Sequence, residues 1–361
     1  MVGWTSFCWT STGSGGPART RAYFFRGEAI SYLFQPPQDP FAGTSGPHPD
    51  KITGNRTRVM AETRSLQPQQ SASERRHHSG STGLPTGLHE WRGHTRDGIP
   101  WEVHKGDAEN VLNSFLPNSF NCVVTSPPYY WQRDYRVVGQ IGQEKTIDGF
   151  VKTVAGIMDQ VRRVLTADGL LFLNLGDTYY SAKGQPKGTD KKSAARRFGL
   201  RAVDASGLGV PRKTVIGIPW RVALEMIARG WILRSPIVWT RTGSLPEPTA
   251  KDRPWRTYEM IFMFSKSPRY YFSRGALSSE EDIWTISARR RSNGGLHSAA
   301  FPEQLVQRCL DVGCPKAGRV LDPFAGAGTT LRVALKSGRS SVGIDLSEQF
   351  CDFMVTELRR L

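Results

Sequence analysis

From Trp101 to the C-terminus, short apolar runs alternate with segments whose apolar residues return every three to four positions. No other feature restricts the fold as tightly. Strands separated by helices pair in parallel through crossovers, and the helices must then cover both faces of the sheet. The strand-like runs are "WEVHKGDA", "FNCVVTS", "GLLFLNLGD", "WILRSPIVWT", "YEMIFMFSKS", "RVLDPFA" and "SVGIDLS". Between them lie helical patterns: "NVLNSFLP", "DGFVKTVAGIMDQVRRVL", "IPWRVALEMIARG", "PEQLVQRCLDVG", "TTLRVALKSG" and the closing "EQFCDFMVTELRRL". The expectation is an α/β fold with a doubly wound, mostly parallel, seven-stranded sheet. Two consecutive strands near 231–267 interrupt the alternation and predict one antiparallel strand at the edge. The stretch from there to about 299 reads as irregular.

Residues 1–95 show no such pattern. They are rich in Gly, Pro, Ser, Thr and Arg, as in "STGSGGPARTR" and "QPQQSASERRHHSGSTG", and predict a poorly ordered extension ahead of a catalytic domain at 96–361. His77 and His78 read as solvated. Met60 opens "MAETRSLQPQQ" and is a candidate start of the native chain. The five cysteines fall at neither metal nor disulfide-scaffold spacings, so they read as buried thiols of a reducing compartment, and no metal is expected. No apolar run approaches the roughly 18 residues of a membrane span. No secretion signal opens the chain, so a cytoplasmic, nucleoid-associated protein is expected.

A formal net charge of +16 over 361 residues points to nucleic acid as partner. Much of that charge is concentrated: residues 181–214 carry nine Lys/Arg against two Asp. A connection this long within a compact domain is commonly functional. With 270–299, which contains "ARRRSNGG", it forms a pair of candidate DNA-facing segments.

Two motifs carry the chemistry. In "VLDPFAGAGTT" (320–330) a strand ends at Asp322, a turn with Gly326 and Gly328 follows, and a helix begins near Thr329. The glycines let backbone approach a ligand closely, and helix-terminal N–H groups face it. The next strand ends in Asp345, placed to accept ribose hydroxyls. The third glycine of a dinucleotide fingerprint is missing, and no G-K-[ST] follows as in a P-loop. An acid at the turn repels phosphate but suits a cationic amine. An adenosine-containing cofactor with such an amine, S-adenosylmethionine, satisfies all of these conditions.

The second motif is "TSPPYY" (125–130), at the end of the strand "NCVV". Prolines there fix carbonyls outward as acceptors, Ser126 adds a side-chain acceptor, and Tyr129 offers a ring face. Acceptors beside a ring complement an exocyclic amine on a planar base. Ligands of doubly wound sheets lie at the carboxyl ends of strands, so Asp107, Ser126, Asp177, Asp322 and Asp345 should ring one cleft.

The S-P-P-Y motif, followed near the C-terminus by D-P-F-A-G-A-G, resembles the β group of amino-directed DNA methyltransferases, the N4-cytosine and N6-adenine enzymes with a circularly permuted sheet. The resemblance covers about 101–361 and includes "KGDA", "FLNLGDTY", "GIPWRVA" and "HSAAFPEQL". It implies that Asp322, Pro323, Phe324, Ala325, Gly326, Gly328 and Thr329 hold the methionine end of S-adenosylmethionine, aided by Phe301 and Pro302. Asp345 would bind the ribose, and Asp107 would sit near the adenine. Ser126, Pro127, Pro128 and Tyr129 would form the catalytic pocket around a base flipped from double-stranded DNA. A cognate restriction endonuclease is then a possible partner. Serine at the first motif position tilts the resemblance to N4 of cytosine over N6 of adenine. An RNA or protein methyltransferase and a non-catalytic DNA-binding protein are the remaining readings.

Overall fold

The computed structural model of the chain describes residues 89–184, 201–243, 250–277, 281–288 and 301–361. The expectations for residues 1–88, His77, His78 and Met60 among them, lie outside the described residues, as do 185–200, 278–280 and 289–299 of the basic segments. The elements run β1 (His89–His94), β2 (Pro100–Lys105), α1 (Ala108–Ser114), β3 (Phe120–Thr125), α2 (Ile147–Val164), β4 (Leu165–Leu175), α3 (Ile218–Ala228), β5 (Ile232–Thr242), β6 (Tyr258–Ser265), β7 (Ile283–Ser287), α4 (Glu303–Gly313), β8 (Arg319–Asp322), α5 (Thr329–Lys336), β9 (Ser340–Asp345) and α6 (Glu348–Leu358).

The strands form one sheet in the order β1-β2-β9-β8-β3-β4-β6-β5-β7. Its central seven, β2 to β5, are the strands read from the sequence. β2, β9, β8, β3 and β4 are parallel. β6 runs antiparallel to both β4 and β5. The antiparallel strand is therefore not at the edge, as expected, but inside the sheet. The crossover through α3 lays β5 one position beyond β4, and β6 returns into the gap. Met260 to Ser265 are all buried, as a run needing neighbours on both sides must be.

Two further strands escaped the sequence. β1 pairs antiparallel with β2 from His89 to His94, so the boundary at 95–96 cuts off an ordered strand. Its polar residues carry little strand signal, and Gly93 serves the packing: a Cβ there would lie 2.3 Å from the Trp101 ring. β7 pairs parallel with β5 inside the segment expected to be irregular. Its short alternation, with Trp284 and Ile286 buried between exposed residues, was the missed signal. The described ends of the 181–214 segment are also held: the Tyr180 N–H donates to Thr214 O at 2.9 Å, and the Ser181 N–H to Val203 O at 2.8 Å.

Helices cover both faces. Phe150, Val154, Met158 and Val161 of α2 pack on Val123, Leu171, Leu173 and Phe262, with α1 and α3 beside them. The alternate positions Cys122, Val124, Leu170 and Phe172 face the other way, onto Leu305, Val306, Cys309 and Leu310 of α4. α5 and α6 close the far end over Trp101 and Val103. Cys122, Cys309, Cys314 and Cys351 are buried free thiols. Among the described residues, no helix is long and apolar enough to cross a membrane.

This topology fixes where a site can form. The carboxyl ends of β2, β9, β8, β3 and β4 share one edge, and the reversed β6 brings its first residues, Tyr258 and Glu259, to that same edge.

Candidate active site

The turn after β8 is held from below. The buried Asp322 carboxylate accepts from Thr125 Oγ1 at 2.7 Å, Thr330 Oγ1 at 2.7 Å and the Phe324 N–H at 3.1 Å. Burial pushes its pKa up to about 6 against these three donors. The carboxylate thus ties the end of β3 to the turn and to α5. Gly326 and Gly328 take left-handed backbone, with φ 50° and 71°. The Gly326 N–H donates to Asp345 Oδ2 at 2.8 Å, and the Ser347 N–H donates to Oδ1 at 2.8 Å. Burial likewise raises Asp345 to about 6.

Above this turn opens a cleft of about 700 Å³, solvent mouth included. Gly106, Asp107 and Ala108 line it after β2, Ser126 and Pro128 after β3, Pro323, Phe324 and Gly326 after β8, and Asp345 to Ser347 with Phe350 after β9. Asp107 also caps α1, accepting from the Asn110 N–H at 3.1 Å. In a chain of net charge +16, the charged groups lining this cleft among the described residues are Asp107 and Asp345, with no Lys or Arg. That donor set repels phosphates and favours a cationic ligand with hydroxyls. It fits the ribose and the amine of S-adenosylmethionine, which Asp345, Asp107 and the Gly326 turn would hold, with Phe324, Leu346 and Phe350 offering apolar surface.

Other predicted residues lie elsewhere. Ala325 is buried in the α5–α6 core, Gly328 caps α5, and Thr329 is buried in its first turn. Phe301 packs on the core beneath α4, and Pro302 caps that helix. None of these five lines the cleft. Nor does Asp177, which instead caps α3 by accepting from the Gly217 and Ile218 N–H groups at 3.0 and 3.1 Å.

The wall opposite α6 comes from a loop the sequence reading overlooked. Tyr135, Val137, Gly139, Gln140 and Ile141 line the cleft, and Tyr135 meets Phe350 edge-on at 6.3 Å. The loop is cinched shut: the Trp131 N–H donates to Gly142 O at 2.7 Å, and its indole N–H to Glu144 O at 2.8 Å. Trp131 takes a left-handed φ of 52° to do so. "GQIGQE", with two glycines at φ 85° and 99°, was the readable signal for such a turn.

At the cleft's inner end stands the S-P-P-Y motif. Pro127 and Tyr130 are buried; Ser126, Pro128 and Tyr129 are half-buried. Tyr130, its ring tilted against Phe150 with centroids 5.3 Å apart, belongs to the core. The Tyr129 ring lies over Gly176, where a Cβ would come within 2.4 Å of it. Its hydroxyl reaches Glu259 Oε2 at 2.6 Å and Asn174 Oδ1 at 3.1 Å, and accepts from Ser126 Oγ at 3.4 Å. Arg241 pairs with the other Glu259 oxygen at 2.8 Å. Burial and the neighbouring Glu259 carboxylate push the Tyr129 phenol well above its usual pKa, so it remains a neutral donor.

A doubly wound permuted sheet, an acid-lined cleft beside the Gly turn and an acceptor-rich proline corner define an S-adenosylmethionine-dependent methyltransferase. A family model described as DNA methylase matches residues 120–357. The Type II methyltransferase M.Cfr9I of Citrobacter freundii is 38% identical over 266 residues, covering 71% of this chain and 87% of that protein. Among solved structures, the PvuII DNA methyltransferase (cytosine-N4-specific) superposes with a TM-score of 0.56 at 21% identity, covering 72% of this chain and 86% of that one. A Thermus thermophilus protein assigned as a DNA modification methylase, complexed with S-adenosyl-L-methionine, superposes with a TM-score of 0.50 at 24% identity, covering 72% and 93%. The chain belongs to the N6/N4-type DNA methylase family, enzymes that methylate exocyclic amines of DNA bases.

Proposed function

We propose that this enzyme methylates N4 of cytosine in double-stranded DNA, as the modification half of a restriction–modification pair. The observation that carries the base assignment is Ser126 at the inner end of the cleft. A hydroxyl both donates and accepts, whereas a carboxylate at that position would only accept. Ser126 can therefore accept from the amine or donate to the adjacent ring nitrogen, which is a stronger acceptor in cytosine than in adenine. The Type II name of M.Cfr9I supports the pairing with a nuclease, whose DNA-bearing compartment is the cytoplasm.

When bound, S-adenosylmethionine supplies an electrophilic methyl group. The chain's own part is to orient and to exclude water. Asp345, Asp107 and the Gly326 turn fix the cofactor's polar groups. Ser126 Oγ and the Pro127 carbonyl accept the amine's N–H bonds and draw its lone pair out of the ring. Holding two reactants in register contributes on the order of 7–11 kcal/mol. The base must leave the duplex to reach this corner. Tyr129 stacks on it, an interaction worth roughly 1–3 kcal/mol. Beyond the end of β4, Arg253 and Arg256 lie 3.8 and 5.9 Å from the Tyr179 ring, Arg212 donates to Ser181 O at 3.0 Å and Lys213 pairs with Asp252. With the rest of the basic segments 181–214 and 270–299, they supply phosphate contacts.

The test is to express the chain in cells free of modified bases, digest the DNA to nucleosides for mass spectrometry, and sequence it with methylation-aware chemistry. N4-methylcytosine in a fixed sequence context is expected. N6-methyladenine alone would overturn the base assignment.

A further inference from the structure

Methylating an amine leaves an extra proton on nitrogen. The attacking N–H₂ becomes a cationic N–H₂–CH₃ and must lose one N–H proton to give a neutral product. Ser126 touches that position but is too weak a base to keep the proton. Behind it, two further polar groups continue a hydrogen-bonded chain: Ser126 Oγ donates to Tyr129 Oη at 3.4 Å, and Tyr129 Oη donates to Glu259 Oε2 at 2.6 Å. Glu259 sits at the start of β6, the reversed strand, with its side chain 12% exposed. Asn174 Nδ2 donates to the same Glu259 oxygen at 3.2 Å, and Arg241 holds the other at 2.8 Å. The carboxylate is thereby fixed with one oxygen aimed at the phenol.

We propose that Ser126, Tyr129 and Glu259 form a proton relay that carries the amine proton away from the reacting nitrogen, with Glu259 as its terminal acceptor. The amine N–H bond breaks and its proton joins Ser126 Oγ. The original Ser126 hydroxyl proton passes to Tyr129 Oη, the Tyr129 proton passes to Glu259 Oε2, and a neutral carboxylic acid results. Both hydroxyls end as they began. The Glu259 side chain is 12% exposed, and solvent later takes its proton. The long Ser126–Tyr129 distance is characteristic of a ligand-free site, where catalytic hydrogen bonds tighten only with substrate bound. Glu259 is a positioning residue, since it reaches the substrate only through Tyr129; Arg241 and Asn174 hold it in turn. The relay rests on methyl transfer to an exocyclic amine and is independent of which base carries that amine.

The test measures single-turnover methyl transfer from S-adenosylmethionine to unmodified genomic DNA, in H₂O and D₂O, with the full chain. Tyr129→Phe keeps the ring and removes only the hydroxyl. Glu259→Gln keeps the shape and removes the acceptor. Each should slow transfer by roughly 10²-fold, the lower end for general-base assistance, with unchanged cofactor binding by calorimetry. The double variant should be no slower than either single one, because the residues act as a unit. The wild-type solvent isotope effect should vanish in both variants. A wild-type rate in Tyr129→Phe, which needs no refolding of the ion pair, would overturn the relay, as would a loss confined to KM for DNA. Product analysis in the same samples separates the two readings. Methyladenine with the isotope effect intact overturns the base assignment and supports the relay, whereas methylcytosine with unaffected variants overturns the relay alone.

Discussion

Gly176 offers the sharpest test of how the catalytic corner works. It follows β4 directly and its φ is not positive, so alanine can adopt the backbone unchanged. The added Cβ would stand 2.4 Å from Tyr129 Cε2, 2.8 Å from Cδ2 and 3.1 Å from Cζ. Carbon pairs prefer about 3.5–4.0 Å, so the ring must retreat by roughly 1 Å. It cannot slide freely, because its hydroxyl is bound by Glu259 and Asn174 and the Tyr129 carbonyl accepts from the Gln132 N–H at 3.2 Å. The ring tilts instead, moving the face on which the base is proposed to stack. A misplacement of about 1 Å can cost on the order of 10²-fold in rate. Overpacking destabilises by roughly 1–3 kcal/mol. Loss of glycine's freedom in the unfolded chain offsets about 0.4–1 kcal/mol of that, so Gly176→Ala stays folded. Steady-state methylation should show kcat down by about 10²-fold, with the S-adenosylmethionine Kd unchanged because Gly176 does not line the cleft. A kcat within about threefold of wild type, in a protein that melts normally, would refute the claim that the Tyr129 ring position sets the rate.

Ser126→Ala should cut kcat by roughly 10²–10³-fold while cofactor affinity survives, checked by kinetics and calorimetry side by side; unchanged turnover would remove Ser126 from the reaction. Asp345 has its pKa raised to about 6 and meets the cofactor as a carboxylate, so S-adenosylmethionine binding should weaken as pH falls through 6. Asp345→Asn should bind weakly at every pH, and a wild-type pH profile in that variant would contradict the ribose contact. The same raised pKa values at Asp345 and Asp322 mean that the folded chain binds these protons more tightly than the unfolded one. Their contribution to stability is therefore fully present below the unfolded value near 4 and lost as pH rises through about 6. Asp322→Ala strands the Thr125 hydroxyl and the Phe324 N–H and leaves the Thr330 hydroxyl only Val124 O at 3.3 Å, and should lower stability by roughly 3 kcal/mol, seen as a drop in Tm.

The central sheet was legible because its information is local. Periodicity marks each strand and helix, and strands separated by helices leave little choice but a parallel, doubly wound arrangement. The Gly turn and the proline corner were readable for the same reason, since backbone chemistry at Gly326, Gly328, Pro127 and Pro128 is written in residue type. What depended on neighbours distant in sequence was not. Nothing in "YEMIFMF" states that β6 enters between β4 and β5, yet that insertion alone carries Glu259 to the Tyr129 hydroxyl, 130 residues away. The sequence could show an acid at Asp322 but not that Thr125 and Thr330 turn its carboxylate inward, away from the cleft. It could not foresee that residues 135–141 wall the cofactor cleft, because their place depends on closure of the Trp131–Glu144 loop. Local pattern decided which elements form and where backbone must bend; tertiary packing decided which side chains meet, because contacts between distant segments follow from strand order rather than from any one segment.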